Sequence, residues 1–548
     1  MAERAGGLPR GRIDHPQGRV DVLLSEAALR SPARPALRTE SGVLSYRELD
    51  DAVDRWAAYL GERFGPGCPI AVCTVLDPAF AIAFYAVSRS GNVIVTVNPL
   101  LPQERLTHML AATGARAAFV PAELRERIEA VRGKLPDLTT LIVIDGQGDP
   151  PGTSGDRPEA GPPADLPGTS AGRPKAGPPA DPDSVACLQF TSGTTGAPKA
   201  VMLSHRNLLV NAAQVAAAHR LSASAITLNH LPAYHLMHLN SGVHAGVTQV
   251  LCRDPDPVAA VEQAARHGVT HFYGLPARLI HLSRDPRLAG LRLESVRGIF
   301  SGGAALPVAA AKALYRQFGI PVIQGYGLAE TSPLTHCDVL TGPRWGSVGP
   351  PVAATECRVV DVRDRTPLPP GSPGEVEVRG PQVMLGYRDA DTPVRDGWLP
   401  TADIGYQDAD GWLFIVDRIK DVFKCDNELV SPSDLERLLD EHTAVRDCVV
   451  VDHPDDVHGA VAHALVVLAE EERDGTLLGI ASSVNDRLPY YHQIRYIQRV
   501  PEIPRPPSGK LERRTFRGWM DARATFIPFP SVKGTDHGAA RQQDDGDR

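Results

Sequence analysis

Residues 188–205 read LQFTSGTTGAPKAVMLSH. An apolar, strand-like run ends at Phe190, and a turn follows it: Thr191, Ser192, Gly193, Thr194, Thr195 and Gly196, with Lys199 three residues beyond. Glycine lets the backbone bend with its N–H groups exposed, hydroxyls add donors, and lysine adds a positive charge. The stretch therefore predicts an anion-binding loop that suits a polyphosphate best.

Two other structures are compatible with a run rich in Ser, Thr and Gly. One is a flexible linker, which the strand-like residues before the run and the apolar VMLSH after it disfavour. The other is the P-loop GxxxxGK[ST], which requires lysine directly after the second glycine, whereas Ala197 follows Gly196 here. The kind of nucleotide chemistry has to come from the rest of the chain.

The composition is that of an ordinary globular protein with more than one domain. A chain of 548 residues is too long for a single hydrophobic core. Apolar residues make up 43% of it and charged residues 22%. The net charge of −8 and the lack of a block rich in Lys and Arg give no reason to expect nucleic acid as a partner.

Nothing in the sequence indicates a membrane or secreted protein. The first residues, MAERAGGLPRGRIDH, lack the apolar core of a signal peptide. No run reaches the roughly 18 apolar residues that a spanning helix needs. Eight scattered cysteines without a CxxC pair disfavour zinc and disulfide frameworks, so we expect a cytoplasmic protein without a membrane partner.

Helical and strand patterns alternate from about Val20 to Ile144. VDVLLSEAALRS and SYRELDDAVDRWAAYLGERF have helical spacing, whereas PIAVCTVL, GNVIVTVNP and AAFVPA are typical of short buried strands. This alternation predicts the α/β class, with largely parallel sheets covered by helices.

A tandem duplication interrupts this pattern. PGTSGDRPEAGPPAD at 151–165 is followed by PGTSAGRPKAGPPAD at 167–181. Because the segment is rich in Pro and Gly and has almost no large apolar side chains, it predicts a disordered insertion over 151–182. A solenoid repeat would be longer and would carry an apolar face. A neutral expansion is favoured over a regulatory role.

The pattern changes near residues 417–421 (DRIKD), and a smaller βαβ-like unit follows. In that unit VSPSDLERLLDEH has helical spacing, and VRDCVVVDHP and HALVVLAE are typical of strands. We predict a large N-terminal domain of helix-covered sheets over 20–419 and a small, mobile α+β domain over 420–524. Lys420 would be the hinge, with the active site between the domains. Residues 1–19 and 525–548 are predicted as tails.

Four further clusters place polar residues in turns flanked by glycine or proline. They are GYGLAETS (325–332), GWLPTADIG (397–405), DRIKDVFKCDNELVSPSDLE (417–436) and PRPPSGKLERR (504–514). Taken singly, each has an ordinary explanation, because a tyrosine is commonly a core residue and a lysine a solvated one. The information lies in their order along the chain.

In that order the motifs resemble those of the adenylate-forming superfamily, which comprises acyl-CoA synthetases, aryl-CoA ligases, peptide-synthetase adenylation domains and beetle luciferase. The similar segments are FTSGTTGAPKAV, LPAYHLMHLNSG, SGGAALP, GYGLAET, GSVGPPV, GEVEVRGPQVMLGY, GWLPTAD, VDRIKD and PPSGKLERR. The resemblance runs from roughly residue 20 to residue 520. It is strongest to a bacterial acyl-CoA synthetase.

The resemblance implies a two-step reaction. A carboxylic acid attacks the α-phosphate of Mg·ATP and gives an acyl-AMP and pyrophosphate. The thiol of coenzyme A then displaces AMP. The implied ligands are therefore ATP and AMP, Mg²⁺, coenzyme A, and the acid or its acyl-adenylate.

The resemblance also implies roles for individual residues. The loop from Thr191 to Lys199 would hold the β- and γ-phosphates, and Lys510 would stabilise charge that builds between the acid and the α-phosphate. Rotation at Lys420 would withdraw Lys510 and bring the 421–430 loop inward. The other nucleotide-site residues would be Gly302, Gly303, Ala304, Tyr326, Gly327 and Ala329, with Asp403 and Arg418 at the ribose and Glu330 as the catalytic Mg²⁺ ligand.

Two further groups of residues follow from the resemblance. The thioester-forming face would comprise Lys424, Cys425 and Asn427, and the acyl pocket Tyr234, His235, Asn240, Tyr273, Ser301 and Leu328. His235 lies where the family gates this pocket and so counts among the catalytic candidates. A buried structural histidine is an equally good interpretation of its position.

Three positions depart from the family's pattern. Ala329 stands where the family usually has a threonine that donates to the α-phosphate, which predicts adenylation weaker by on the order of 10–100-fold. Thr331 replaces that hydroxyl only if its side chain points the same way. Asn427 replaces a glycine, and Ala402 replaces the glycine before Asp403, which predicts mild crowding of the ribose site.

We therefore expect an acyl-CoA synthetase, and three alternatives stay open. The first is an enzyme biased towards the second half-reaction and supplied with acyl-adenylate by an upstream adenylating enzyme. The second is a freestanding ligase that loads a separate carrier protein. The third is an idle adenylate-binding sensor, which the retention of Lys510 disfavours.

The acid is poorly defined by the sequence. The predicted pocket residues are mostly apolar or small, with no lysine or arginine for a second carboxylate, so we expect a bulky hydrophobic acid. The composition, rich in Ala, Arg and Pro, suggests a GC-rich bacterial genome and a role in specialised metabolism such as antibiotic biosynthesis.

Overall fold

The computed structural model describes residues 13–144, 153–154, 181–191, 198–426, 428–469, 476–505, 513–521 and 524–528. The chain divides into two compact units. The larger comprises Met1–Ile419 and Arg505–Glu512, and the smaller comprises Lys420–Pro504 and Arg513–Arg548. The predicted α/β class, with a large N-terminal part and a small C-terminal part, is confirmed.

Several helices of the larger unit begin with a side-chain cap. In α2, Ser45 accepts from the Glu48 backbone N–H and Glu48 accepts from that of Ser45, which closes a capping box. The helices are α1 (Val22–Arg30), α2 (Tyr46–Arg63), α3 (Pro78–Arg89), α4 (Gln103–Thr113), α5 (Ala122–Glu129), α6 (His205–Ala218), α7 (Leu236–Ala245), α8 (Pro257–Arg266), α9 (Pro276–Arg284) and α10 (Val308–Phe318), with 3₁₀ turns at Arg132–Lys134, Pro286–Gly290 and Ala329–Thr331.

The first eight-stranded sheet has the order β18-β9-β8-β4-β3-β5-β6-β7. Its members are β3 (Pro69–Cys73), β4 (Val93–Val97), β5 (Ala117–Pro121), β6 (Thr140–Ile144), β7 (Thr153–Ser154), β8 (Val185–Phe190), β9 (Ala200–Ser204) and β18 (Gly386–Tyr387). The strands from β8 to β6 in this order are parallel, and β9, β18 and β7 are antiparallel. The predicted anion loop therefore connects two adjacent antiparallel strands, β8 and β9.

The duplicated segment is described in part. Thr153 and Ser154 pair antiparallel with β6, and the Pro182 carbonyl accepts a hydrogen bond from the Arg206 backbone N–H at 2.8 Å. The prediction of disorder over 151–182 is wrong for these residues, because backbone pairing holds them to ordered elements. Residues 151–152 and 155–180 lie outside the described residues.

The second eight-stranded sheet has the order β15-β14-β13-β12-β10-β11-β1-β2. Its members are β1 (Pro35–Arg38), β2 (Val43–Ser45), β10 (Ile226–His230), β11 (Thr248–Leu251), β12 (His271–Gly274), β13 (Gly298–Gly302), β14 (Val322–Gly327) and β15 (Leu334–Cys337). All neighbours are parallel except the two end pairs. The carboxyl ends of β10, β12, β13 and β14 thus share one edge, which is where open parallel sheets bind ligands.

A smaller antiparallel sheet completes the larger unit. It consists of β16 (Glu356–Val360), β17 (Gly374–Arg379), β19 (Leu399–Gln407) and β20 (Leu413–Arg418). In the register of β19 and β20, Asp403 lies directly opposite Arg418.

In its described residues the smaller unit combines a six-stranded sheet with two α-helices, an α+β arrangement. Its strands are β21 (Phe423–Cys425), β22 (Glu428–Val430), β23 (Val445–Asp455), β24 (Gly459–Leu468), β25 (Ile494–Arg499) and β26 (Thr525–Phe526), and its helices are α11 (Pro432–Asp440) and α12 (Thr476–Asn485), with 3₁₀ turns at Tyr490–His492 and Arg513–Phe516. β26 pairs antiparallel with β25, and the Ile527 backbone N–H donates to the Arg495 carbonyl at 2.8 Å. The predicted tail over 525–548 is therefore wrong at its start.

A buried ion cluster joins α3 to α1 and α2 inside the larger unit. Arg89 lies 3.2 Å from Asp21, 2.6 Å from Asp50 and 2.5 Å from Asp54, and its side chain is 13% exposed. The three acidic residues compensate a buried guanidinium, so the cluster fixes how these helices pack. Among the described residues, no helix has the length and hydropathy that crossing a bilayer would require.

Candidate active site

Glycines of the predicted nucleotide site line the carboxyl edge of the second sheet. Gly302 ends β13 and pairs with Gly325 of β14, and a Cβ at Gly302 would lie 3.3 Å from the Gly325 carbonyl oxygen. A Cβ at Gly327 would lie 1.8 Å from the Pro333 carbonyl oxygen. Gly303 has φ +88, a left-handed conformation that glycine adopts without strain. Gly302 and Gly327 thus allow close backbone packing at this edge, whereas a Cβ at Gly303 would meet open space, and the half-buried Ala304 follows it.

The Asp403 carboxylate joins three of the predicted residues. The Tyr326 hydroxyl donates to Asp403 Oδ2 at 2.5 Å, and Arg418 Nε lies 2.5 Å from Asp403 Oδ1. Asp403 is only 2% exposed, so its charge is compensated by these two groups. Burial and the neighbouring carboxylate raise the pKa of Tyr326, which keeps its hydroxyl protonated as a donor. We call Tyr326, Asp403 and Arg418 the Asp403 cluster.

Glu330 and Lys199 meet at a tyrosine that the sequence analysis missed. Tyr387 of β18 donates its hydroxyl to Glu330 Oε1 at 2.8 Å, and Lys199 Nζ lies 4.7 Å from the centroid of the Tyr387 ring. Burial and the Glu330 charge raise the pKa of Tyr387, so it stays a hydrogen-bond donor. Tyr387 is the last residue of the motif GEVEVRGPQVMLGY, and the sequence alone indicates no role for it.

The ends of the predicted anion loop lie side by side. The Thr191 backbone N–H donates to the Lys199 carbonyl at 3.1 Å, and the Lys199 N–H donates to Thr191 Oγ1 at 3.4 Å. Ser192, Gly193, Thr194, Thr195 and Gly196 lie outside the described residues. Lys199 is thereby fixed at the amino end of β9.

Thr331 does not supply the hydroxyl that Ala329 lacks. Its Oγ1 accepts from the Leu328 N–H at 3.0 Å and lies 2.5 Å from the Pro333 carbonyl oxygen, and the residue is fully buried. The Thr331 hydroxyl thus makes its hydrogen bonds within and next to the 3₁₀ turn. Ala329 itself is half-buried at the start of that turn.

The departure at position 402 acts through the backbone. Ala402 has φ +58, in the left-handed region that costs an L-residue energy and that glycine adopts freely. Its side chain is exposed, and the mild crowding of the ribose site stays a prediction. The Ala402 N–H donates to Glu375 Oε1 at 3.2 Å, which helps to hold this conformation.

His235 is the cap of a helix. Its Nδ1 accepts from the Met237 backbone N–H at 3.2 Å, and its Nε2 lies 3.4 Å from Gln189 Nε2 on β8. Burial lowers the pKa of His235 to about 4, so the ring is neutral. A structural role at the start of α7 is therefore present, and a gating role stays a prediction.

The predicted acyl-pocket residues do not form one cluster. Tyr234 is fully buried in the core beside Phe80, and its hydroxyl donates to Gln249 Oε1 at 2.7 Å. Tyr234 is thus a core residue whose hydroxyl bonds inside the protein, and its place in the acyl pocket stays a prediction. Asn240 is 1% exposed and accepts from the Tyr85 hydroxyl at 3.0 Å.

Tyr273 and Ser301 lie on opposite faces of the second sheet. Tyr273 pairs with Phe300 across β12 and β13, and since side chains alternate along a strand, Ser301 points the other way. Tyr273 instead packs against His238, with ring centroids 4.3 Å apart, and bonds to His219 Nδ1 at 3.0 Å. Leu328 is half-buried just before the 3₁₀ turn.

In the smaller unit, the predicted thioester-forming residues differ from one another in exposure. Lys424 is exposed on β21, whereas Cys425 is 1% exposed in the unit's core and burial raises the pKa of its thiol. The prediction that Cys425 contributes to an accessible face is therefore wrong. Asp426 has φ +49 and lies 2.9 Å from His458 Nδ1, a pair that the sequence did not indicate. Asn427 and Lys510 lie outside the described residues.

Comparison with known proteins agrees with this set of features. The family model described as AMP-binding enzyme matches residues 24–388, and that of the AMP-binding enzyme C-terminal domain matches residues 434–510. 4-Coumarate–CoA ligase 3 of Oryza sativa subsp. japonica is 32% identical over 87% of this chain and 87% of its own length. The long-chain-fatty-acid–CoA ligase of Bacillus subtilis (strain 168) is 28% identical over 94% and 96%.

Among solved structures, o-succinylbenzoate CoA synthetase from Bacillus subtilis is similar in fold. Its complex with the acyl-adenylate intermediate has a TM-score of 0.77 and 25% identity, and covers 93% of this chain and 99% of that one. Its complex with ATP and magnesium ion has a TM-score of 0.76 and 26% identity, with 90% and 98% covered. The fold and the motif residues thus define an adenylate-forming enzyme. The chain belongs to the AMP-binding enzyme family and is an acid–thiol ligase by class.

Proposed function

We propose that this chain is an acyl-CoA synthetase that activates a carboxylic acid as an acyl-AMP and transfers the acyl group to coenzyme A. The observation that carries the proposal is the Asp403 cluster, with Glu330 in the turn after β14. The nearly buried Asp403 carboxylate, held by two donors, is suited to the hydroxyls of a ribose. The Glu330 carboxylate, which follows Tyr326 closely in the sequence, is suited to a metal-bound phosphate. The relatives are named as CoA ligases, which supports the choice of acceptor.

The residues present fit ATP and Mg²⁺. The open glycine edge at Gly302 and Gly303 gives a base and a ribose room to approach the backbone. Glu330 Oε2 has no partner within the described part of the chain, and carboxylate oxygen is the donor that Mg²⁺ prefers. When bound, Mg²⁺ neutralises phosphate charge during the displacement. Tyr387 would hold Glu330 in place for that ligation.

The remaining roles in adenylation follow the motif positions. Lys199 would contact the β- and γ-phosphates, and the hydroxyls of the adjoining loop would add donors to them. Lys510 would bridge the substrate carboxylate and the α-phosphate as charge develops there. We also propose that the small domain rotates at Lys420 between the two half-reactions, which would withdraw Lys510 after adenylation. Lys424 is the exposed residue best suited to the thioester-forming face.

One observation favours a second candidate function. Ala329 has no hydroxyl, and the Thr331 hydroxyl is already hydrogen-bonded inside the protein. Neither side chain would therefore donate to the α-phosphate of a bound nucleotide. This supports an enzyme biased towards the second half-reaction, one that takes a preformed acyl-adenylate and passes the acyl group to coenzyme A.

One experiment tests both candidates. A panel of acids is incubated with coenzyme A, once with Mg·ATP and once with each acid supplied as its synthetic acyl-AMP. An ordinary ligase forms thioester in both arms and shows strong ATP–pyrophosphate exchange. Thioester from acyl-AMP alone favours the biased enzyme. No thioester in either arm, with tight AMP binding, overturns both and leaves an idle adenylate-binding protein.

We also propose a cellular setting and a class of substrate. All eight cysteines are unpaired, which suits a reducing compartment such as the cytoplasm. Replacing coenzyme A by a phosphopantetheinylated carrier protein in the same assay tests the carrier-loading alternative. We propose an acid larger than acetate as the substrate and, from the composition rich in Ala, Arg and Pro, a place in bacterial specialised metabolism.

A further inference from the structure

A layer of polar residues is buried between α7 and the second sheet. Thr227 and Asn229 on β10, Tyr273 on β12 and His238 on α7 form this polar layer. Thr227 is 1% exposed, Asn229 0% and Tyr273 3%, where strand residues beneath a helix are ordinarily apolar.

Strand register places the layer on one face of the sheet. Thr227 and Asn229 are alternate residues of one strand, and Asn229 pairs with Tyr273 across β10 and β12. Gln249 of β11 pairs with Thr227, and a Cβ at Gly242 of α7 would lie 2.5 Å from the Gln249 side chain. The α7 helix therefore lies directly on this face.

His238 completes the layer from the helix side. It is one helical turn before Gly242 and so shares the face of α7 that meets the sheet. Its ring packs on Tyr273 and lies 6.4 Å from the ring of His235. Burial lowers the pKa of His238, which leaves a neutral ring with one donor and one acceptor nitrogen.

Four atoms of the layer lack any hydrogen-bond partner in the described residues. They are Thr227 Oγ1, Asn229 Oδ1, Asn229 Nδ2 and His238 Nδ1. Buried side-chain amides are nearly always paired, so an asparagine with both ends unpaired requires an explanation. Leucine would fill the same volume at lower cost if packing were its only role.

The neighbours of the layer do not provide that explanation, because they are bonded to one another. His219 is bonded to Tyr273, and His271 bonds to Thr270 and to the His219 carbonyl. Gln249 bonds to Tyr234 and to the Leu239 carbonyl. Thr227, Asn229 and His238 thus keep unpaired polar atoms in this layer, and on α7 the Nδ2 of Asn240, whose Oδ1 accepts from Tyr85, is unpaired as well.

The position of Asn229 suits the far end of a bound acid. It is the penultimate residue of β10, at the same edge of the sheet as Gly302 of β13. The strand order places β10 two strands from β13, or about 10 Å at roughly 4.8 Å per strand. Tyr273 and Phe300 lie between the two on the same face, so an acid whose carboxylate met the nucleotide near Gly302 would have to extend about 10 Å past these rings to place a group at Asn229.

We propose that Asn229, together with His238, binds a hydrogen-bonding group at the end of the acyl substrate remote from its carboxylate. The substrate class is then a compact acid with a distal hydroxyl, amino or carbonyl group, and not a long-chain fatty acid. This inference rests on the proposed ligase function and replaces the purely hydrophobic acid expected from the sequence. Asn229 acts as a specificity-determining residue and has no part in bond making.

The test compares matched acids on the full-length protein. The probes are 3-phenylpropanoic acid, its 4-hydroxy, 4-amino and 4-acetyl derivatives, and hexadecanoic acid. For each, kcat/KM is measured with ATP and coenzyme A, and Kd is measured by calorimetry in the presence of AMP. The wild type should prefer at least one derivative over the parent acid by at least about 10-fold. Asn229→Leu should bring that ratio close to 1, mainly because kcat/KM for the preferred derivative falls.

Thr227→Val is the matched control. It removes an unpaired hydroxyl from the same strand and face, two residues and about 6.6 Å further from the edge. It should leave the ratio unchanged, and neither variant should lower the melting temperature, because neither removes a protein hydrogen bond. An equal loss of selectivity in both variants overturns the proposal, since the effect would then be a general rearrangement of the sheet.

Failure of the inference is distinguishable from failure of the ligase function. A preference for hexadecanoic acid or for the unsubstituted parent, with thioester formed, overturns the role of Asn229 while the ligase function stands. If no acid forms AMP or thioester, the ligase function fails. The ratio of Kd values in wild type and Asn229→Leu then still decides the binding role: a ratio that the substitution does not change overturns it.

Discussion

Introducing a hydroxyl at position 329 should accelerate acyl-adenylate formation. Ala329 begins the 3₁₀ turn that also carries Glu330. The Met384 backbone N–H donates to the Glu330 carbonyl at 2.8 Å and Tyr387 holds its carboxylate, so the turn is fixed on both sides. In Ala329→Thr a new hydroxyl would therefore be presented on a rigid element. A hydrogen bond to a charged group contributes about 1.5–3 kcal/mol, or roughly 10–100-fold in rate if it forms fully in the transition state.

ATP–pyrophosphate exchange at saturating acid measures the first half-reaction, and thioester formation from supplied acyl-AMP measures the second. Ala329→Thr should raise the exchange rate by that factor and leave the second rate unchanged. Ala329→Val is the control, because it adds the same bulk without the hydroxyl. Equal exchange rates in wild type and Ala329→Thr, or an equal rise in both variants, would refute the reasoning.

Four further predictions concern stability and nucleotide binding. Arg89→Met should lower the free energy of unfolding by about 3–5 kcal/mol in urea titrations, because the buried Asp21 and Asp50 and the partly exposed Asp54 lose their counter-charge. Arg344→Met, at an exposed cluster, should cost less than about 1 kcal/mol. Burial lowers the pKa of His219 to about 3, so the unfolded chain binds a proton that the folded one refuses. The contribution of His219 should therefore lower the free energy of unfolding as the pH drops from 6.5 towards 3. Burial raises the pKa of Asp338 from 3.8 to about 7, so its contribution has the opposite sign and stability should fall as the pH rises through that window. Asp338→Asn should remove that slope in urea titrations across the window. Asp403→Asn should weaken AMP binding by at least about 10-fold in calorimetry, because charged hydrogen bonds to the ribose are lost.

Much of the fold could be predicted from periodicity. The spacing of SYRELDDAVDRWAAYLGERF predicted a helix, and α2 runs over Tyr46–Arg63. The errors lie where pairing overrides composition. Thr153–Ser154 and Thr525–Phe526 are polar or terminal stretches that become strands because an ordered edge is available to pair with them.

The candidate site was predictable to the level of motifs but not of contacts. Asp403 and Arg418 could be named from the sequence, whereas their direct opposition depends on the register of β19 and β20. Tyr387 was missed because it follows a bend far along the chain from Glu330. Tyr273 and Ser301 were grouped together because sequence position near a strand end does not reveal which face each residue occupies.

The polar layer shows why the face that a strand residue occupies matters for function. In ITLNH, residues 226–230, alternation correctly separates Thr227 and Asn229 from Leu228. The usual inference is that the polar face of such a strand meets solvent. Here α7 covers that face, and only the packing of Gly242 against Gln249 reveals it. Buried polar atoms without a protein partner are satisfied by an ordered water or by a ligand, and the comparison of matched acids in wild type and Asn229→Leu distinguishes the two.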